Sequence, residues 1–248
     1  MPSPTMPSPL PATPVRCDER SPAVRRAAAR IDGYLRAPVE ALRRAAEDFG
    51  AELAALHAVG AASAARLDEL VEPHSVRLRA LTEPRVFGAG FVAARGEFGD
   101  ADGHLAWWQG EPCRRLVPAA EAVRKGRVDY TALEWFRVPA ATGRPHVAGP
   151  YVDYLCNDDY TVTFAAPVCL EGRFLGVLAL DVLVDTIERD LLPALLDTGE
   201  ELVALSRNGR VLLSSDPRYE TGDTVRGAAL AAVPETPGHG FRVLAAAG

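Results

Sequence analysis

The sequence predicts an α+β protein in which a long N-terminal helix precedes an antiparallel sheet covered by helices. Three observations predict it. Apolar or small residues at Ile31, Leu35, Val39, Leu42, Ala46, Phe49, Leu53 and Leu56 recur at steps of three and four, which is a helical seam. Tyr160 to Val168 alternates Tyr, Val and Phe against Thr, as a half-buried strand does. It then passes through Glu171-Gly172 into the apolar run Arg173 to Val184. Finally, Asn208-Gly209 joins Glu201–Ser206 to Val211–Ser215 as a second hairpin.

In chain order, the opening MPSPTMPSPLPATPVR is rich in Pro and Ser and has no apolar core, so residues 1–18 are expected to form a disordered tail and not a signal peptide. Residues 19–80 are helical. Pro38 lies inside the seam, so the helix either kinks there or restarts with Pro38 in its first turn. A second helical stretch carries Leu67, Leu70 and Val71 and is expected to end at Pro73. A strict seam is narrower than a core-facing stripe. It therefore packs on the chain's own sheet or pairs with a second copy in a homodimer.

Residues 81–196 form the main sheet unit. Val86 to Ala94 and Leu105 to Gln109, with Trp107 and Trp108, read as strands. Val128 to Ala141 reads as a helix, and Gly143 as its C-cap. Asp185 to Leu196 is an amphipathic helix after the strand that ends at Val184. Residues 197–248 hold the Asn208-Gly209 hairpin and a final strand at Phe241 to Ala246, a small C-terminal remnant unit.

Bulk properties narrow the function. The 248 residues are 48% hydrophobic and 24% charged, enough to bury a real core, and the net charge is −6. Arg25, Arg26, Arg30, Arg36, Arg43 and Arg44 are interleaved with Glu40, Glu47 and Asp48, so no basic stripe suits nucleic acid. No run approaches the eighteen or so apolar residues of a membrane span, and a cytoplasmic location is expected. Cys17, Cys113, Cys156 and Cys169 make no CxxC, and the five histidines make no HExxH. Neither a metal nor a cofactor is expected. The cysteines fit a reducing compartment, with a Cys156–Cys169 bridge as the lesser alternative. Asn157-Asp158-Asp159 reads as a loop and not as a metal site.

The chemistry concentrates between Asp129 and Val184. Tyr130, Trp135, Phe136, Tyr151, Tyr154 and Tyr160 gather there in a chain only 7% aromatic. Tyr151 and Asp153 are two apart and share one side of a strand. Asp181 interrupts an apolar strand, where an ionised carboxylate needs a partner: a cationic ligand, or a structural arginine such as Arg173 or Arg137. Two carboxylates among aromatic rings make a receptor for a cation. No GxSxG, P-loop or Cys/His pair is present, so an enzyme is not expected. The hydrolase alternative would use Asp153 and Asp181 as its carboxylate pair. A purely structural dimerisation protein would leave Asp181 unexplained.

Trp135-Phe136, Pro150-Tyr151-Val152-Asp153 and Gly176-Val177-Leu178-Ala179-Leu180-Asp181 together resemble the Cache family of bacterial sensor domains. The resemblance implies a PAS-like antiparallel sheet with its ligand between the sheet and the loops above it, and makes residues 197–248 a truncated second module of the double-Cache type. In members that bind amino acids, a Tyr-x-Asp pair and a later Asp hold the amino group; Tyr151, Asp153 and Asp181 match them. Trp135 and Phe136 match the aromatic pair, and Tyr130 is a further candidate contact from its place among the gathered aromatics. The same pattern places an Arg two residues before the Trp to clamp a carboxylate. Here that position is Leu133, and Val128 stands where a Tyr belongs. Leu cannot replace a bidentate guanidinium. The expected ligand is therefore a small organic amine. An amino acid held by Arg127, Arg137 or His146 is the second choice, with Arg137 and His146 as secondary contacts. By the same resemblance, the signal passes to a partner such as a GntR-type transcription regulator.

Overall fold

The computed structural model describes residues 21–59, 63–97, 104–116, 129–153, 159–225 and 240–245. The expected tail, with Cys17, lies outside them.

Ser21 starts helix α1, Pro22–Ala58. Its Oγ accepts from the backbone N–H of Ala23 at 3.1 Å and of Val24 at 3.4 Å, and Pro22 takes the first turn, where no N–H is needed. The helix neither stops nor restarts at Pro38; it runs through it. Tertiary burial outweighs the one lost hydrogen bond, because Ile31, Leu35, Leu42, Phe49 and Leu53 are completely buried. After Ser63, whose Oγ accepts from the N–H of Arg66, helix α2 spans Ala64–Arg79. The expected end at Pro73 is wrong for the same reason. His74, Ser75 and Leu78 continue the buried side of Leu67 and Val71 past the proline.

The main sheet follows: β1 Gly88–Ala93, β2 Leu105–Gln109, β3 Arg114–Arg115, then β4 His146–Val152, β5 Tyr160–Leu170 and β6 Arg173–Leu183. Between β3 and β4 lie a 3-10 turn at Tyr130–Ala132 and helix α3, Glu134–Thr142, which Gly143 ends in the left-handed conformation at φ 65°. This helix is shorter than the expected Val128–Ala141, and Val128 lies outside the described residues. The six strands are ordered β3-β2-β1-β6-β5-β4, and every pair is antiparallel. The Glu171-Gly172 turn is a two-residue hairpin loop with both residues at positive φ, so β5 and β6 pair along their full length.

Helix α4, Val184–Leu196, leads to a second sheet of β7 Leu202–Leu205, β8 Val211–Ser214 and β9 Arg242–Ala245, in the order β8-β7-β9. The Asn208-Gly209 hairpin forms, with a wider turn than the dipeptide suggests. Gly209 alone takes a positive φ, its N–H donates to the Ser206 carbonyl, and the Ser206 N–H donates to the Arg210 carbonyl.

One face of the main sheet packs on α1, α2 and α4. Phe91, Phe164, Leu178 and Leu180 meet Leu35, Leu42, Phe49 and Ile187 there, and Leu202, Ala204, Leu212 and Phe241 extend the same core into the second sheet. The apolar seam of α1 is thus occupied by the chain's own sheets, the first of its two readings. Among the described residues the exposed large apolar side chains are Val59, Val76, Tyr160 and Leu196, none of them in α1. The seam therefore gives no support to the expected homodimer, because most of its apolar residues are already covered.

Phe49 sits at the crossing of α1, α2 and β1, its ring centroid 4.8 Å from that of Phe91 and 5.5 Å from that of His74. Phe49→Ala is expected to cost about 3–5 kcal/mol in urea unfolding, with the slope of the transition unchanged.

Candidate functional site

The face of the main sheet turned away from α1 carries the aromatic residues. Strand register places Gln109, Gly88, Asp181, Thr163 and Ala148 in one row across β2, β1, β6, β5 and β4. Trp107, Gly90, Ala179, Ala165 and His146 form the next row. Small residues dominate these rows, so large side chains can lie flat on the sheet. Trp107 does so: a Cβ on Gly88 would stand 2.7 Å from its Nε1, and one on Gly90 would stand 2.9 Å from its Cε3. Its Nε1 donates to Gln109 Oε1 at 3.1 Å.

Helix α3 covers these rows and brings in two expected residues. Trp135 and Phe136 are both buried, with ring centroids 6.1 Å apart. Tyr130 lies 6.3 Å from Trp135, and Phe174 stands edge-on to Phe136 at 5.4 Å. Leu133 and Tyr151 are half-buried against the same cluster.

Tyr151 and Asp153 reach this face because β4 carries a bulge. Ala148 pairs with Thr163, but Tyr151 pairs with Thr161, so one extra residue is inserted. Without it, side-chain alternation would send Tyr151 to the helix-covered face. Gly149 makes the bulge: its φ is 125°, and a Cβ there would lie 2.7 Å from the Thr161 carbonyl oxygen. The Asp153 N–H then donates to the Asp159 carbonyl at 3.1 Å.

Asp181 is 4% exposed. Its Oδ1 accepts from Thr163 Oγ1 at 2.6 Å, and Thr163 Oγ1 lies 2.5 Å from the Tyr151 hydroxyl. Burial pushes the Asp181 carboxyl up to about 8. The Thr163 hydrogen bond opposes this shift, and the negative Asp153 adds to it. The carboxyl is therefore mostly protonated at neutral pH.

Neither arginine expected as a structural partner of Asp181 reaches it. Arg173 pairs with Glu97 at 3.3 Å. Arg137 is exposed, since it follows Trp135 by two residues and so points to the opposite side of α3. His146 does face the site row, but its Nε2 lies 2.9 Å from Glu134 Oε1. That bond holds the Glu134 carboxyl below the usual carboxylate range, burial works against it, and Asn208 Nδ2, donating to Oε2 at 2.8 Å, adds to the lowering. Of the other residues singled out in the sequence, Arg127, Tyr154, Cys156, Asn157 and Asp158 lie outside the described residues. Cys169 is a free thiol. Among the described residues no group of three or more His, Cys, Asp or Glu could hold a metal ion. Among them, too, no helix is long and apolar enough to cross a membrane.

Two residues of the site are not evident from sequence. Thr163 reads as the solvent side of a half-buried strand, yet Thr161 and Thr163 are both buried and β5 is covered on both faces. Threonine in place of Lys or Glu is the available signal. Trp107 reads as a strand residue only; the glycines at 88 and 90 are the sign that it lies flat.

Residues 115–189 match the family described as methyl-accepting chemotaxis protein-like, first PDC sensor domain. No curated protein matches the chain. Its fold is similar to that of methyl-accepting chemotaxis protein X, with TM-score 0.61 and 16% identity over 90% of this chain and 96% of that one. It is also similar to the ligand-binding domain of the Pseudomonas aeruginosa PAO1 amino acid chemoreceptor PctC in complex with GABA. There the TM-score is 0.53 and the identity 17%, over 91% of this chain and 96% of that one. A third similar structure is the ligand-binding domain of the Pseudomonas fluorescens chemoreceptor CtaA in complex with L-valine, with TM-score 0.60 and 15% identity over 91% and 94%. The shared feature is the fold: a long N-terminal helix, a PDC or Cache-type antiparallel sheet, and a smaller second sheet.

The raised Asp181 carboxyl predicts a pH dependence of stability. Its folded value lies above its value in the unfolded chain, so its contribution is complete below about pH 4 and is lost as pH rises through about 8. Urea unfolding is expected to show stability falling across that window in the native chain, and less steeply in Asp181→Asn. Equal slopes in the two proteins would contradict the assignment.

Proposed function

We propose that this chain is a sensor domain that captures a small primary amine, with Asp153 and Asp181 facing its ammonium group and Trp135 and Tyr151 lining it. One observation carries the reading: Asp181 is buried with a hydroxyl as its hydrogen-bond partner and, among the described residues, no basic group beside it. A buried carboxylate gains most from a ligand that supplies both charge and N–H donors. The aromatic faces of Trp135 and Tyr130 add cation–π attraction.

The family match spans Trp135 to Asp181, which supports the sensor reading. Similar structures hold GABA and L-valine, each of which has an ammonium group and a carboxylate. This chain keeps the residues suited to the first group. For the second it has Leu133 beside Trp135, an exposed Arg137, and a His146 already bound to Glu134. On this reading, residues 81–196 bind the ligand and residues 197–248 are an abbreviated second module.

Thermal shift and calorimetry with ethanolamine, propylamine, putrescine, L-alanine, GABA, acetate and pyruvate test the proposal. Amines are expected to stabilise the protein, and Asp181→Ala to remove that stabilisation while leaving a folded chain. A response to acetate or pyruvate with none to amines would sink the reading. Leu133→Arg is expected to gain about tenfold or more in affinity for L-alanine, with a smaller change for propylamine, because a guanidinium then meets the ligand carboxylate.

A further inference from the structure

Tyr151, Thr163 and Asp181 stand on three adjacent strands, and the threonine hydroxyl is the middle of the chain they form. Thr163 Oγ1 lies 2.6 Å from Asp181 Oδ1 and 2.5 Å from Tyr151 Oη. A hydroxyl has one hydrogen to give. When Asp181 is ionised it can only accept, so Thr163 donates to it and accepts from Tyr151. The tyrosine hydrogen then points at Thr163, and its oxygen can accept from an incoming group. When Asp181 is protonated, its own O–H can be given to Thr163. The chain reverses, and Tyr151 can turn its hydrogen outward.

We propose that Thr163 is a specificity-determining residue of the site. It couples the hydrogen-bonding sense of Tyr151 to the charge of Asp181, so that a primary ammonium enters as Asp181 gives up its proton. This rests on the amine reading above and specifies how the site selects. The step balances: the ammonium keeps its three hydrogens, the Asp181 carboxyl loses one proton to the buffer, and the charge of the filled site equals that of the empty one. Neutral acceptors such as amides meet a donor-poor site once Asp181 is ionised.

The surroundings support one exchangeable proton at this point. From β4, Asp153 and Tyr151 face Asp181, and His146 further along is bound to Glu134 of α3. From α3 the remaining charged group, Arg137, is exposed. The row partners of Asp181 on β1 and β5 are Gly88 and Thr163, and Gln109 of β2 lies beyond Gly88. Among the described residues no cation offsets a charged Asp181. Burial favours its protonated form, and the Thr163 hydroxyl is the local group among them that favours the ionised form.

Calorimetry with ethanolamine from about pH 6 to about 8.5, in two buffers of different ionisation enthalpy, tests this on the native chain, Thr163→Val and Thr163→Ser. The native chain is expected to release close to one proton per ethanolamine at neutral pH, with affinity rising up to about tenfold per pH unit below about 8. Thr163→Val should bind about tenfold or more weakly at pH 7 and recover at higher pH, and Thr163→Ser should restore the native profile. Binding to Thr163→Val with an unshifted pH profile would reduce Thr163 to a packing residue and overturn the proposal. Carbon-13 NMR of the Asp181 carboxyl in the free chain separates the two readings. Titration in the ordinary carboxylate range overturns the proton exchange even if ethanolamine binds. Titration well above that range, with no amine bound at any pH, overturns the amine reading itself.

Discussion

A carboxyl group near the end of β6, one of the two central strands of the main sheet, is the constraint from which the rest of the candidate site follows. Asp181 cannot move off the site face without turning Leu180 and Val182 away from the helices that cover them, so the core on one side holds the carboxyl in place on the other. Its cost is met locally. A hydroxyl on the neighbouring strand donates to it, and a raised pKa lets it stay neutral at neutral pH. A glycine on its other side leaves the space above it to Trp107.

The two faces of the sheet obey different rules. The helix-covered face is built from Phe, Leu and Ile that interdigitate with α1, α2 and α4, as a close-packed interior requires. The other face has a floor of glycine and alanine under a layer of aromatic rings. The bulge at Gly149 belongs to this second pattern, since it is what turns Tyr151 and Asp153 onto the floor. A regular β4 would present Val152 there in their place.

Much of the fold was legible because it rests on periodicity. The seam of α1, the strand at β5, the Glu171-Gly172 turn and the C-cap at Gly143 are local patterns, and each element appears where the pattern put it, although β5 is covered on both faces and not half-buried. Pro73 misled because propensity is local and burial is not: α2, like α1 at Pro38, gains more from its covered side than one missing N–H removes. The seam of α1 could not be assigned to a partner from its spacing alone, since a sheet and a second helix ask for similar residues. Residue type and spacing single out Trp135, Tyr151, Asp153 and Asp181 as candidates, and the fold brings them to one face of the sheet. They do not single out Thr163, because a threonine that faces a site and one that faces water look alike in a strand. The exposure of Arg137 was within reach, as two residues along a helix is most of a half-turn from Trp135.

Glu134 has a position that matters beyond its own hydrogen bonds. It sits beside Trp135 on α3, holds His146 of β4 with one oxygen, and holds Asn208 of the β7–β8 turn with the other. Glu134 therefore ties the helix above the aromatic face to the loop of the second sheet. Any free energy that a bound ligand passes to that loop through α3 must, by linkage, be returned in equal measure. On the proposed function, a partner that gripped the Asn208 turn would change ligand binding by the same factor by which the ligand changes the grip.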